Sequence, residues 1–204
     1  MDKISEGAES SIYSVNFMGL DGILKRRMSK PYRIREIDES IRTRRTRKEA
    51  RIMGIVSSLG INSPTVLLAD RYDILMSRIR GSSMNRILES NTGKIPRSVF
   101  SEIGRGIAVL HNNNITHGDY TPANIMIDKK QNAHIIDFGL SDISLSAEDK
   151  AMDILLMKRS IDEAHFGVFI KSYKAACKES ASILKRLEDI EKRGRYNTRT
   201  LLTV

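Results

Sequence analysis

The stretch His117-Gly118-Asp119-Tyr120-Thr121-Pro122-Ala123-Asn124, followed thirteen residues after Asn124 by Asp137-Phe138-Gly139, decides how the chain is read. An aspartate and an asparagine five positions apart on a loop can turn their oxygens toward one phosphate site. Asp119 would accept or orient a hydroxyl proton, and Asn124 would offer a hard oxygen to a metal. Between them and Asp137 lie two short β-forming runs, Ile125-Met126-Ile127 and His134-Ile135-Ile136, separated by the polar Asp128-Lys129-Lys130-Gln131-Asn132. That pattern predicts a hairpin that returns Asp137 to the loop and completes a magnesium site. Gly139 is read as the residue that lets the backbone turn sharply just beyond. Singly, each of these Asp and Asn residues also suits an ordinary turn; the chemistry rests on the three together.

Working outward, the first 28 residues read as β. Ile12 to Phe17 alternates apolar and polar, Gly19 to Gly22 supplies turn chemistry, and Ile23-Leu24 begins a second strand. Residues from about 35 to 59 lack Pro and carry Gly54 alone, with Ile37, Ile41, Ile52 and Ile55 among dense charge, which predicts a long, largely solvated helix ended by Gly60 and Pro64. Val66 to Ala69 and Tyr72 to Met76 read as strands, and Gly81 marks a break. Beyond it, Ser83 to Glu89 and Arg97 to His111 read as helices, the latter with Val99, Ile103, Ile107 and Leu110 on one face. Two or three helices follow from about Ala147 to Gly194. This order predicts an α+β fold in two lobes joined near residues 77 to 82, a β-rich lobe with one long helix and a mainly helical lobe.

The charge is uneven. The chain of 204 residues carries +9 in all, yet Lys25 to Arg51 alone holds twelve basic residues against Glu36, Asp38, Glu39 and Glu49. Such a stretch is either a solvated helix face or a surface for RNA or an acidic partner. A second cluster, including Arg193, Arg195 and Arg199, closes the chain, and with Tyr196 the sole aromatic there, phosphate contact is expected rather than base stacking. Cys177 stands alone, excluding an intrachain disulfide, and the opening residues lack a basic patch followed by an apolar run, so a cytoplasmic setting is expected. No apolar run approaches the roughly 20 residues needed to cross a bilayer.

The catalytic-loop spacing and the later Asp-Phe-Gly resemble the signature of the protein-kinase superfamily. The resemblance implies ATP and Mg2+ as cofactors, Asp119 as catalytic base or water-orienting group, and Asn124 and Asp137 as the magnesium ligands. It also puts Lys25 where the nucleotide-binding lysine of the third strand lies and Glu49 on the long helix as its ion-pair partner. Gly7, Ala8, Glu9 and Ile12 fall in the place of the phosphate-covering hairpin, although Gly7 alone remains of the usual three glycines, and Glu9 is read as either loop support or surface carboxylate. Met76 would border the adenine pocket, with Ser77 to Ile79 as the hinge. His117 and His111 are read as packing residues, Asp153 as a buried brace of the catalytic loop, and Ser10, Ser11, Ser144 and Ser146 as candidate autophosphorylation sites.

Ordinary members place an activation segment ending in Ala-Pro-Glu and substrate-binding helices after Asp-Phe-Gly. Here 65 residues follow Gly139 without that tripeptide, and Gly118 stands where an arginine usually receives a phosphorylated segment. These departures, with the blocks Lys30-Pro31-Tyr32-Arg33, Arg45 to Arg51 and Arg193-Gly194-Arg195, resemble the small atypical serine/threonine kinase family of the KEOPS complex. That resemblance spans nearly the whole chain. It implies one kinase-like domain over 1–204, with an N-lobe of about 1–78, a C-lobe of about 82–194 and a basic tail from about 193. It further implies ATP hydrolysis or autophosphorylation beside the tRNA-modifying subunit that makes threonylcarbamoyladenosine, with other KEOPS subunits and tRNA as partners. Two alternatives stay open: a small-molecule phosphotransferase of the aminoglycoside or choline type, which shares His-Gly-Asp, and a non-catalytic RNA-binding scaffold.

Overall fold

A computed structural model describes residues 1–90 and 94–200, the side chains of 194–200 excepted. Strands β1 (Asp2–Glu6), β2 (Ser10–Phe17) and β3 (Leu20–Arg27) form an antiparallel meander, so the expected hairpin gains a third strand. The β2–β3 turn is tight and uses left-handed backbone at Met18 and Gly19, earlier than the predicted Gly19-to-Gly22 turn. Helix α1 (Arg35–Ser58) follows, and its chain leaves through left-handed Gly60. β4 (Val66–Ala69) and β5 (Asp73–Ser77) complete a five-stranded sheet of order β1-β2-β3-β5-β4.

The second lobe opens with β6 (Gly81–Ser83) and α2 (Met84–Ser90), then α3 (Arg97–Asn112) and β7 (Ile115–Thr116). A short 3-10 turn at Pro122–Asn124 leads into the predicted hairpin, β8 (Ile125–Asp128) and β9 (Ala133–Ile135), to which β6 adds a third strand. β10 (Asp142–Ile143) pairs with β7, and α4 (Ala147–Ser160), α5 (Glu163–Ala176) and α6 (Ser180–Thr200) finish the lobe. The segment from 193, expected as a tail, continues α6 as far as Thr200; residues 201–204 lie outside the described residues.

Periodicity explains how these elements pack. Val99, Ile103, Ile107 and Leu110 are all fully buried on α3, as the helical spacing requires, and face α5 through Phe169 and Tyr173. Gly104 permits that approach, because a Cβ there would lie 2.4 Å from the Phe169 carbonyl oxygen. Gly81 breaks the chain for a similar reason: a Cβ would meet the Ile127 carbonyl oxygen of β8 at 2.1 Å. Helices α4 and α5 start on side-chain caps, Ser146 accepting from the Asp149 amide and Asp162 from the His165 amide.

Helix α1 is polar along most of its length. It buries Ile52, Met53 and Val56 near its C-terminal end, but Ile37 is exposed and the interior positions Asp38, Thr46 and Glu49 are polar. Its placement therefore depends on ion pairs as well as on burial. Among the described residues no helix is long and apolar enough to cross a membrane.

Candidate active site

Strand alternation sets the first part of the site. Ile23, Lys25 and Arg27 share one face of β3, turned toward α1 and the second lobe, while Arg26 faces the other way and pairs with Asp73. Lys25 Nζ donates to Glu49 Oε1 at 2.7 Å and to Asp137 Oδ1 at 2.7 Å, joining sheet, helix and second lobe at one atom. Burial works against the charge of Lys25, yet the Glu49 and Asp137 carboxylates outweigh it and hold the ammonium above its ordinary pKa. Asp137 mirrors this: desolvation opposes its ionisation, and Lys25 overcomes it, so the carboxyl sits below the usual range.

The catalytic loop is built around buried Asp153 of α4. Its Oδ2 accepts the His117 amide at 2.7 Å, and its Oδ1 accepts the Gly118 amide at 2.8 Å. The same carboxylate lies 3.2 Å from His111 Nε2, whose Nδ1 meets the Tyr173 hydroxyl at 2.9 Å. The expectation of a bracing aspartate thus corresponds to a carboxylate between two consecutive loop amides. His117 is fully buried, with its ring on Tyr120 and Phe138. Its Nε2–H donates to the Ile136 carbonyl at 3.0 Å and its Nδ1 accepts the Asp119 amide at 3.3 Å, which requires a neutral ring. Desolvation holds its pKa below the ordinary imidazole value, and with both ring nitrogens engaged it packs behind the loop.

Asn124 Nδ2 donates to both the Asp119 carbonyl and Asp119 Oδ2, each at 2.8 Å, locking the two residues together. Both contacts use the amide nitrogen, which leaves the Asn124 oxygen as the atom available to a cation. Asp137 takes left-handed backbone, φ +58°, and its side chain is about half exposed. The sharp turn therefore sits on the aspartate itself. Gly139, expected to provide it, has no left-handed φ and is small because a Cβ there would stand 3.0 Å from Asp137 Oδ1 and 3.3 Å from Lys25 Nζ. Among the described residues no group of three or more His, Cys, Asp or Glu is placed to hold a metal. A hard-oxygen pair such as Asn124 and Asp137 suits Mg2+, which keeps waters and phosphate oxygens as its remaining ligands.

A cavity of about 660 Å³ lies between the lobes, bordered by Lys25, Glu49, Asn124 and Asp137 at one end and by Met76, Ser77 and Ile79 at the other. Ile12 lines it too, together with residues the sequence reading did not assign to a site: Ile4, Ile23, Met53, Met126 and Ile136 supply its apolar walls. Gly7, Ala8 and Glu9 are not among its lining residues. Ala8 and Glu9 turn instead toward cations: Lys30 Nζ donates to the Ala8 carbonyl, and Arg45 Nη1 donates to Glu9 Oε1. A separate depression of about 590 Å³ near Asp21, Arg80 and Lys129 touches the expected hinge at Ile79 but contains none of Lys25, Glu49, Asp119, Asn124 and Asp137.

Lys48 of α1 pairs with Asp142 at 2.9 Å, tying the helix to the segment after Asp-Phe-Gly. Gly118, read as a missing arginine, has φ +81°, and a Cβ would lie 2.5 Å from the Leu140 carbonyl oxygen, so no side chain fits there. Of the serines named as modification candidates, Ser11 is fully buried in β2, while the Ser144 hydroxyl donates to Asp149.

A family model described as protein kinase domain matches residues 3–158. The "EKC/KEOPS complex subunit BUD32" of Enterocytozoon bieneusi is 36% identical, with 94% of this chain and 97% of that protein covered. The "KEOPS complex subunit Bud32" of Pyrococcus abyssi is 34% identical over the whole of both chains. A "Probable bifunctional tRNA threonylcarbamoyladenosine biosynthesis protein" of Methanocaldococcus jannaschii is 34% identical, and this chain spans 36% of its length. In three dimensions the chain is similar to a Rio2 kinase from Chaetomium thermophilum solved as an ADP/Mg2+-phosphoaspartate complex, with a TM-score of 0.66 at 17% identity, covering 97% of this chain and 72% of that one. Since the kinase model spans most of the chain and two relatives are matched over nearly their full length, the chain belongs to the protein-kinase domain family and, within it, to the family of the Bud32 subunits.

Proposed function

We propose that the chain is an ATP- and Mg2+-dependent phosphoryl-transfer enzyme, a serine/threonine kinase or ATPase, working as a cytoplasmic subunit of a KEOPS complex in the threonylcarbamoyladenosine modification of tRNA. The observation that carries the reading is the meeting of Lys25, Glu49, Asn124 and Asp137 on one cavity, with Asp119 bonded to Asn124. In this reading the chain is a single kinase-like domain and the ATP phosphates lie along Lys25. Asn124 and Asp137 hold Mg2+, which neutralises charge on the phosphates when bound. The Asp119 carboxylate orients the attacking hydroxyl or water. Met76 and the backbone of Ser77 to Ile79 receive the adenine. Phosphoryl transfer is mostly positioning and charge stabilisation, so residues that fix geometry carry the rate.

The test is Mg2+-dependent ATP turnover with and without the tRNA-modifying partner subunit and tRNA. Asp119→Ala is expected to lower turnover by a factor of about 10² to 10⁴ while leaving the melting temperature nearly unchanged. Wild-type protein that never hydrolyses ATP in the presence of its partner and tRNA would overturn the reading in favour of a scaffold. Phosphorylation of an aminoglycoside or choline by the purified chain would instead restore the small-molecule alternative.

A further inference from the structure

Arg27 takes no part in the site as described so far and does not line its cavity, yet it touches Glu49 directly. It is two residues beyond Lys25 on the same face of β3, and its side chain is 5% exposed. Its Nη2 donates to Glu49 Oε2, the carboxylate oxygen that Lys25 leaves free, and its Nη1 stands 3.6 Å from Glu9 Oε2. Its Nε is buried without a hydrogen-bond partner, a cost that a residue present only for packing would not need to bear. Glu49 is thus shared by two cations, and Glu9 by Arg27 and Arg45. The result is an unbroken charged chain, Lys25–Glu49–Arg27–Glu9–Arg45, running from the nucleotide lysine to the β1–β2 loop and on to α1.

That loop is held at every residue. Gly7 donates its amide to the Ser10 carbonyl at 2.9 Å, Lys30 reaches the Ala8 carbonyl, and the Met28 amide donates to the Glu9 carbonyl at 3.3 Å. A kinase loop with three glycines moves because its backbone is permissive. This one has a single glycine, without left-handed φ, and is strapped down by side chains from β3 and α1. We propose that Arg27 is a positioning residue for phosphoryl transfer, coupling the seat of the β1–β2 loop to the Lys25–Glu49 pair so that loop and lysine reach the phosphates in register. This rests on the phosphoryl-transfer reading above and adds to it the residue that joins its two halves.

The rival role is purely structural, in which Arg27 only neutralises buried Glu49. Three variants separate the two: Glu9→Gln, which leaves the buried pair intact, Arg27→Lys, and the double. Each is assayed for kcat and KM of ATP turnover in the complex with its partner subunit and tRNA, for MgADP affinity by calorimetry, and for melting temperature. Coupling through Arg27 predicts that Glu9→Gln lowers kcat/KM about tenfold, equivalent to about 1.4 kcal/mol, at an unchanged melting temperature, and that the double variant is no worse than Arg27→Lys alone. Wild-type turnover and MgADP affinity retained in Glu9→Gln, or single losses that multiply in the double, would overturn the proposal. Should Arg27→Lys fail to fold, Glu9→Gln decides alone by the same criterion. A wild type inactive under these conditions sinks the phosphoryl-transfer reading, whereas an active wild type with an indifferent Glu9→Gln sinks this inference only.

Discussion

At the scale of single residues, the site combines groups whose protonation is set by burial. His117 and His111 are both held below the ordinary imidazole pKa by desolvation, against the pull of Asp153. In the unfolded chain the same rings protonate near about 6.5, so below that pH the unfolded state binds more protons and stability falls. Asp137 adds a second loss further into acid, because its depressed carboxyl contributes stability above the ordinary carboxylate range that vanishes as pH drops through its folded value. The melting temperature is therefore expected to decline as pH is lowered from 8 to 5, with a further fall in stronger acid; a flat profile would contradict two neutral buried imidazoles. The candidate site residues Asp119, Asn124 and Asp137 were legible from their spacing, which suits a shared phosphate site. Arg27 was not singled out, although its separation of two from Lys25 on a strand was the available signal. The backbone strain at Asp137 was also hidden, because φ is a property of the folded neighbourhood and an aspartate can adopt many values.

Among the elements, α1 resolves the question raised by its charge. Nine of the twelve basic residues between Lys25 and Arg51 have a partner within the protein, including Arg33 and Arg42 on Asp38, Arg45 on Glu9 and Lys48 on Asp142. Arg44, Arg47 and Arg51 are exposed and, at separations of three and four, lie on one face of the helix. If tRNA binds along α1, these three are the contacts. Replacing all of them with alanine is expected to reduce the slope of log affinity against log salt by about 0.9 for each phosphate lost, without altering the melting temperature. An unchanged slope in a filter-binding or anisotropy titration would assign the charge to folding alone. The limits of α1 were readable within a residue or so because the stretch lacks Pro and holds Gly54 alone until Gly60 and Pro64 end it. Strands β6, β7 and β10 were missed because two or three residues hold no period to detect; they exist only through partners distant in sequence.

For the whole molecule, the order of elements already implied two lobes, and the cleft between them follows from it. What the order could not supply is the contact that crosses the cleft, since Lys25 and Asp137 are 112 positions apart. A ligand that touches both lobes binds the folded protein alone and must stabilise it by mass action, by about 2.7 kcal/mol at a hundredfold excess over its dissociation constant. MgADP is therefore expected to raise the melting temperature, an effect kept in Asp119→Ala and lost in Lys25→Ala. A shift of equal size in Lys25→Ala would place the nucleotide elsewhere.

The pairing of Lys48 with Asp142 has a consequence for the protein's life history. The anion opposite that lysine is encoded in the chain rather than installed after translation, so this pair forms without a covalent modification. The pair is solvent-exposed on both sides, so ionic strength can loosen it where a phosphatase has nothing to remove.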